Sequence, residues 1–280
     1  MSDGVKTKEV QGIEVPALGL GTWELEGEAC VEAVADALEI GYRHIDTAQM
    51  YGNEDEVGRG LARSGVAREE IWLTTKIWME DAGYDDVLRT TGESLERLGV
   101  GHVDLLLLHW PNPKVPLSET LSAMRRLQDE GAARHLGVSN FPPDLLDEAL
   151  DEAEIFCNQV EYHPYLAQDE VLELCHEWDL LLTAYAPIAR GRVSDAPVLC
   201  SIAEAHGKTP VQVTLRWLLQ QEGVAAIPKA ATPEHRRANL DLFDFELSDD
   251  EMDEIHGLAR GERIVDPDFA PHWETAGSVR

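Results

Sequence analysis

What most restricts the fold of this chain is a repeated change of period. Along its 280 residues an apolar run of strand length gives way to a stretch of helical spacing, in units of roughly thirty residues. The plainest strand is Val103-Asp104-Leu105-Leu106-Leu107-Leu108-His109, an almost unbroken apolar run. A strand wetted on one side would alternate apolar with polar; one covered on both sides need not, which is the condition of a parallel sheet clothed in helices. Strands of this kind are predicted at 18–23, 42–45, 71–76, 103–109, 135–140, 157–162, 180–185 and 224–227. Between them lie helical patterns: Val31, Val34 and Leu38 stopped by Gly41, then Val57, Leu61 and Ala62, then 84–98 with Val87, Thr91, Leu95 and Leu98 on one face. Further helices are predicted at 117–128, 143–153, 170–178, in the material from 197 to 221, and at 233–240. A strand and a helix alternate eight times with no linker or low-complexity break. The expectation is one domain over residues 1–280, a closed α/β (β/α)8 TIM barrel, with an open doubly wound sheet as the alternative. A Gly12-centred hairpin at 10–16 is expected before the barrel. Ser248 and Glu251, at capping-box spacing, predict an extra C-terminal helix.

In such a barrel the C-terminal strand ends converge on one mouth, and the loops there build the active site. Asp46, Lys76, His109, Asn140, Gln159, Tyr185 and Lys229 fall at or just beyond strand ends, and Tyr51 lies in the loop after Asp46. A free tyrosine titrates near pH 10, and a neighbouring ammonium lowers that value. Lys76 is therefore expected to bring Tyr51 towards neutrality, with Asp46 keeping the lysine charged and pointed. The phenol then acts as a general acid for an alkoxide, and a neutral His109 orients the substrate oxygen. This set suits carbonyl reduction. Each member also has a plainer reading: an N-capping Asp46, a packed Tyr51, an Asp46–Lys76 ion pair inside the barrel, a satisfied core His109. His163 is read as structural.

Other chemistries find little support. Cys30, Cys157, Cys175 and Cys200 are scattered without a CxxC, so neither a metal site nor a disulfide framework is expected. Gly19-x-Gly21 lacks the third glycine of a dinucleotide fingerprint. Acids outnumber Lys and Arg by 53 to 23, a net charge of −30, which excludes a basic nucleic-acid surface. So large a self-repulsion suggests adaptation to a salty, halophilic cytoplasm, with ordinary solvated carboxylates as the plainer alternative. No apolar run approaches the roughly 20 residues of a membrane span, and Met1 to Lys6 reads as no export segment, so the expected location is cytoplasmic.

Several motifs together resemble the aldo-keto reductase superfamily: Leu18-Gly19-Leu20-Gly21-Thr22-Trp23, Asp46-Thr47-Ala48-x-x-Tyr51-Gly52-Asn53-Glu54, Lys76-x-Trp78, Leu108-His109-Trp110-Pro111, Gly137-Val138-Ser139-Asn140-Phe141, Asn158 to Pro164, and Ile227-Pro228-Lys229. The short loops after His109 and Tyr185 resemble compact bacterial members such as diketogluconate reductases. The resemblance implies a barrel that binds NADP(H) or NAD(H) without a Rossmann domain. It implies Tyr51 as proton donor, Lys76 and Asp46 as its tuning pair, and His109 as the carbonyl-positioning group. Ser139, Asn140 and Gln159 would hold the nicotinamide carboxamide, with Tyr185 stacked under the ring. Pro187, Ile188 and Arg190, with Arg192, would follow the pyrophosphate. Lys229, Thr232, His235 and Asn239 would hold the adenosine end, and Trp23, Trp78 and Trp110 the substrate. A monomer acting on small carbonyl or alcohol substrates is expected.

The chain departs from the family where Lys-Ser-x-(Thr/Asn)-Pro-Glu-Arg is usual: it reads Lys229-Ala230-Ala231-Thr232-Pro233-Glu234-His235, with Arg236 and Arg237 adjacent. A preference for NADP over NAD is correspondingly weakened. Ala186-Pro187-Ile188-Ala189 replaces the usual Ser-Pro-Leu-Gly. Two other readings stay open: a nucleotide-binding regulatory subunit without turnover, and an alcohol dehydrogenase working mainly in the oxidative direction.

Overall fold

The computed structural model describes residues 6–273. Residues 1–5, most of the stretch read as no export segment, lie outside the described residues, as do 274–280. A two-stranded antiparallel hairpin, β1 (Thr7–Val10) and β2 (Ile13–Pro16), precedes the main sheet. Eight parallel strands follow in sequence order: β3 (Leu20–Gly21), β4 (His44–Asp46), β5 (Trp72–Ile77), β6 (Val103–Leu108), β7 (Ala133–Ser139), β8 (Cys157–Glu161), β9 (Leu181–Tyr185) and β10 (Val224–Ala226). The helices between them are α1 (Gly27–Ile40), α2 (Glu54–Ser64), α3 (Tyr84–Leu98), α4 (Leu117–Asp129), α5 (Pro143–Glu152), α6 (Asp169–Glu177), α7 (Pro197–His206) and α8 (Pro210–Gln220). After β10 come α9 (Pro233–Leu240) and α10 (Asp249–His256), the latter opened by the Ser248–Glu251 capping box.

The barrel closes where β3 meets β10. Leu18 makes a parallel bridge with Ala226, Gly19 N donates to Ala226 O and Ala226 N to Ala17 O, both at 2.9 Å. Glycine is needed at this seam. A Cβ on Gly21 would stand 2.7 Å from Ile227 O, and one on Gly19 would stand 2.8 Å from the His44 ring. These glycines serve close backbone approach inside the barrel.

Strand β6 shows why its sequence is so uniformly apolar. Leu105 and Leu107 point into the barrel and pack with Trp72, Phe156, Leu181 and the hairpin's Val10 and Val15. Leu106 and Leu108 point outwards into the sheet–helix layer. Burying each such leucine contributes about 2 kcal/mol. The hairpin thus plugs the N-terminal end of the barrel, leaving the C-terminal end open. The predicted helical stretch from 197 to 221 is two helices: Gly207 ends α7 in the left-handed region at φ 65°, and Thr209 caps α8 with Pro210 at its first turn. Among the described residues no helix is long and apolar enough to cross a membrane.

Candidate active site

At the open end β4 delivers Asp46 and β5 delivers Lys76, with Ile77 extending β5 one residue beyond the predicted end. An ammonium has three donors and no acceptor, and all three of Lys76's are used. Nζ donates to Asp46 Oδ1 at 2.5 Å, to Thr47 O at 2.9 Å and to Tyr51 Oη at 3.1 Å. The phenol oxygen is thus an acceptor towards the lysine, and its own proton must point elsewhere. Gln159 Nε2 donates to the second Asp46 oxygen at 2.8 Å.

The loop carrying Tyr51 is clamped by the two residues that follow Gly52. Asn53 is buried; its Nδ2 donates to Thr22 O and Leu25 O, and its Oδ1 accepts from Thr47 Oγ1. Buried Glu54 accepts from Thr75 Oγ1 at 2.6 Å and from Arg97 at 2.7 Å. In the sequence Asn53 and Glu54 stood only as part of the motif around Tyr51, with no role assigned. They are the brace that fixes Tyr51 against Lys76.

Burial opposes the charge on Lys76, but Asp46 and Tyr51 more than offset it, so the lysine is held above its usual value and stays charged. The expectation that Lys76 brings Tyr51 down towards neutrality is corrected. Burial raises the phenol more than Lys76 lowers it, and Asp46 adds to the rise, so the net shift is upward from 10. Tyr51 is a protonated donor throughout the neutral range. Burial, seconded by the Lys76 charge, pushes His109 well below 6.5 and keeps the imidazole neutral.

His109 stands just beyond β6, its ring 5.7 Å from that of Tyr51 in an edge-on arrangement. Asn140, at φ 64°, donates from Nδ2 to His109 O at 3.0 Å and to Ser139 Oγ at 3.1 Å, and accepts from Tyr185 Oη at 2.7 Å. One amide therefore cross-links the tips of β6, β7 and β9. Ser139 is buried, with Oγ donating to Gln159 O, and does not reach the open cavity.

That cavity, of about 660 Å³, is lined by Asp46, Tyr51, His109, Asn140, Gln159 and Tyr185 on its polar floor. Trp23 and Trp110 form apolar wall. Trp23 lies edge-on to Tyr51 at 5.1 Å. Trp78 stands behind, against His109 at 5.5 Å. A wall missed by sequence reading comes from the segment after α10: Ile264, Val265, Asp266, Pro267 and Phe269 line the cavity. Phe269 sits edge-on to both Trp78, at 5.7 Å, and Trp110, at 5.4 Å. Its only sequence signal was an isolated aromatic in a segment without period.

Along one side run Pro187, Ile188 and Arg190, in a strained stretch where Ala186, Ala189 and Arg190 all have positive φ, at 47°, 48° and 52°. Such strain in non-glycine residues concentrates at functional sites. Lys229 also lines the cavity and pairs with Glu24 at 3.0 Å. Thr232, His235 and Asn239 do not line this cavity: Thr232, the cap of α9, accepts through Oγ1 from His235 N, and on the helix His235 is exposed and Asn239 buried. Arg236, adjacent to His235 in the sequence, is consumed by structure. It is 2% exposed, pairs with Asp36 at 2.6 Å and donates to Ala230 O and Ala231 O.

Comparison with known proteins agrees with this geometry. Residues 17–260 match the model of the aldo/keto reductase family. A glyoxal reductase of Bacillus subtilis is 45% identical over 256 residues, covering 90% of this chain and 92% of that protein. An aldo-keto reductase of Mycolicibacterium smegmatis is 44% identical, covering 90% and 93%. Among solved structures, one described as a 2,5-diketo-D-gluconic acid reductase B superposes with a TM-score of 0.95 at 42% identity, covering 97% of this chain and 98% of that one. The Bombyx mori aldo-keto reductase in complex with NADP gives 0.87 at 32% identity, covering 95% and 96%. On its sequence, its barrel and the arrangement at its mouth, the chain belongs to the aldo/keto reductase family.

Proposed function

We propose that this oxidoreductase reduces aldehydes, ketoses or diketones to alcohols with NADPH, and that Tyr51 gives the proton. The observation that carries this reading is the saturation of Lys76. With its three donors spent on Asp46, Thr47 and Tyr51, the lysine leaves the phenol one proton, and the open side of the phenol is the cavity. Lys76, held charged by Asp46, stabilises negative charge developing on the phenol oxygen as that proton leaves. His109, kept neutral, donates to the carbonyl oxygen and turns it towards Tyr51. Trp23, Trp110 and Phe269 exclude water and accept the substrate's apolar part, with Trp78 backing His109 and Phe269.

The residues present fit a nicotinamide dinucleotide, which supplies the hydride when bound. Gln159 and Asn140 offer amides on the cavity floor, Tyr185 a flat wall, and Pro187, Ile188 and Arg190 a side rail ending in a cation. Ser139 would act indirectly, through Asn140. Lys229 is the close cation for a 2′-phosphate, and Thr232 at the cap of α9, with His235 and Asn239 on that helix, would hold the adenosine end beyond the cavity. Ala230 offers no side-chain hydrogen bond there, and Lys229 is shared with Glu24. NADPH is therefore expected to be preferred only modestly, with NADH usable.

The test is a panel of carbonyls, small dicarbonyls included because a relative is a glyoxal reductase, followed at the nicotinamide absorbance with each cofactor. Binding of NADPH without turnover of any carbonyl would favour the regulatory-subunit reading. An NADPH preference above a hundredfold that His235→Arg leaves unmoved would defeat the cofactor reading. The −30 charge is proposed to suit the protein to high salt: its melting temperature should rise from dilute buffer to molar KCl as repulsion is screened, and a flat profile counts against this.

A further inference from the structure

One buried acid at the mouth takes no part in the chemistry above. Glu161 ends β8, is fully buried, and does not line the cavity. A carboxylate in such a place is costly unless its oxygens are well bonded, and here they are. Oε1 accepts from Ile264 N at 2.6 Å and from His163 Nε2 at 2.9 Å, and Oε2 accepts from Val265 N at 2.8 Å. His163 is itself fixed. Its Nδ1 accepts from Tyr165 N at 3.3 Å, so the ring proton sits on Nε2 and points at Glu161.

The recipients of these bonds matter. Over its described residues, 257–273, the segment after α10 has no helix or strand, so no backbone ladder places it. Upstream, Arg260 N and Glu262 N donate to Tyr165 O. Over the part that walls the cavity, residues 264–269, the hydrogen bonds to the barrel among the described residues are the two that Glu161 accepts. Beyond them the segment is held by packing, with Phe269 against Trp78 and Trp110.

We propose that Glu161 is a positioning residue for substrate selection: its buried carboxylate, oriented by His163, seats the 264–269 segment on the barrel and so sets where Phe269 closes the substrate pocket. The proposal rests on the reductase reading only for the identity of the pocket's occupant. Two adjacent N–H groups meet two charged acceptors in a water-poor site, and charge-assisted bonds there are the stronger kind. Glutamine at this position keeps the shape but turns one oxygen into a donor facing a donor. One of the two tethering bonds is then replaced by a repulsive contact, which a merely space-filling role would not feel.

Hydrogen exchange on the wild-type protein comes first. The amides of Ile264 and Val265 should be protected at least tenfold over that of Phe269, and equal exchange at all three would overturn the proposal without any variant. In E161Q protection should fall at least tenfold at one of the two amides, while the Kd for NADPH, read by nicotinamide fluorescence, moves less than twofold. Across carbonyls graded from small to bulky, KM should change at least fivefold more at the bulky end than at the small end. The order of preference should flatten towards that of F269A, with E161Q adding little in the F269A background. A uniform fall in kcat with an unchanged substrate order, or full additivity with F269A, would make Glu161 merely structural. Should the wild type turn over no carbonyl at all, the reductase reading fails while exchange still decides the tether.

Discussion

The two ends of the barrel each bury a carboxylate against cations, and they do different things with it. At the closed end Asp104, on β6, is 2% exposed. Its Oδ2 accepts from Arg68 at 2.7 Å and Leu73 N at 3.0 Å, and its Oδ1 from Arg134 at 2.8 Å. At the open end Asp46 is 1% exposed and takes one donor from Lys76 and one from Gln159. The network at Asp104 terminates: rigid guanidinium forks and a backbone amide saturate the acid, and nothing is passed on. At Asp46 a lysine whose third donor goes to Tyr51 carries the charge's influence to a phenol that faces a cavity. Equally expensive burial serves stability at one end and reactivity at the other, the division expected of a barrel's two faces.

The largest effect should come from separating the phenol from its proton. Tyr51→Phe is expected to lower the reductase rate by about 10²–10⁴-fold with the melting temperature and NADPH affinity little changed. Because the Tyr51 value is raised above 10, the wild-type reductive rate should also show no Tyr51-linked fall between pH 6 and 9. Near wild-type turnover in Tyr51→Phe would erase the distinction between the two ends.

Asp104→Ala tests the opposite end by equilibrium denaturation. Removing one partner from a largely buried pair costs about 3 kcal/mol, and kcat/KM at a temperature where the variant is folded should stay within twofold. A rate loss as great as the one at Tyr51 would show that the closed end is no mere scaffold.

A subtler comparison uses two neutral histidines. His44, at the start of β4 with Nδ1 against Pro16 O, and His109 at the mouth are both lowered from 6.5, in each case chiefly by burial. The unfolded imidazole takes a proton below about 6.5 while the native one does not. The associated stability is therefore complete above 6.5 and lost as pH falls from there towards the native values. The loss cannot exceed about 1.4 kcal/mol per pH unit for each ring. His44→Gln and His109→Gln should each shrink the stability difference between pH 7 and pH 5.5, measured by denaturant midpoints. Only His109→Gln should also alter carbonyl turnover. Equal kinetic effects would return His109 to the core.

Period and local chemistry in the sequence determined the elements. Helices α3 and α9 run over the residues their spacing predicts, and Ser248 and Glu251 form the capping box their separation implies. The hairpin and the order of the parallel strands follow from the same local patterns. Asp46, Lys76 and His109 were legible because a strand's polar end announces itself in an apolar run, and Tyr51 because it follows in the next loop. Tertiary structure alone decided which groups meet across the barrel. Asn53 and Glu54 brace the Tyr51 loop through partners on β5, on α3 and in the loop after β3. Arg236 is spent on Asp36, and Phe269 reaches Trp78 from a segment with no period of its own. The direction of the Tyr51 shift was likewise hidden. Sequence names the lysine that lowers it, but burial, which raises it more, is a sum over neighbours distant in the chain.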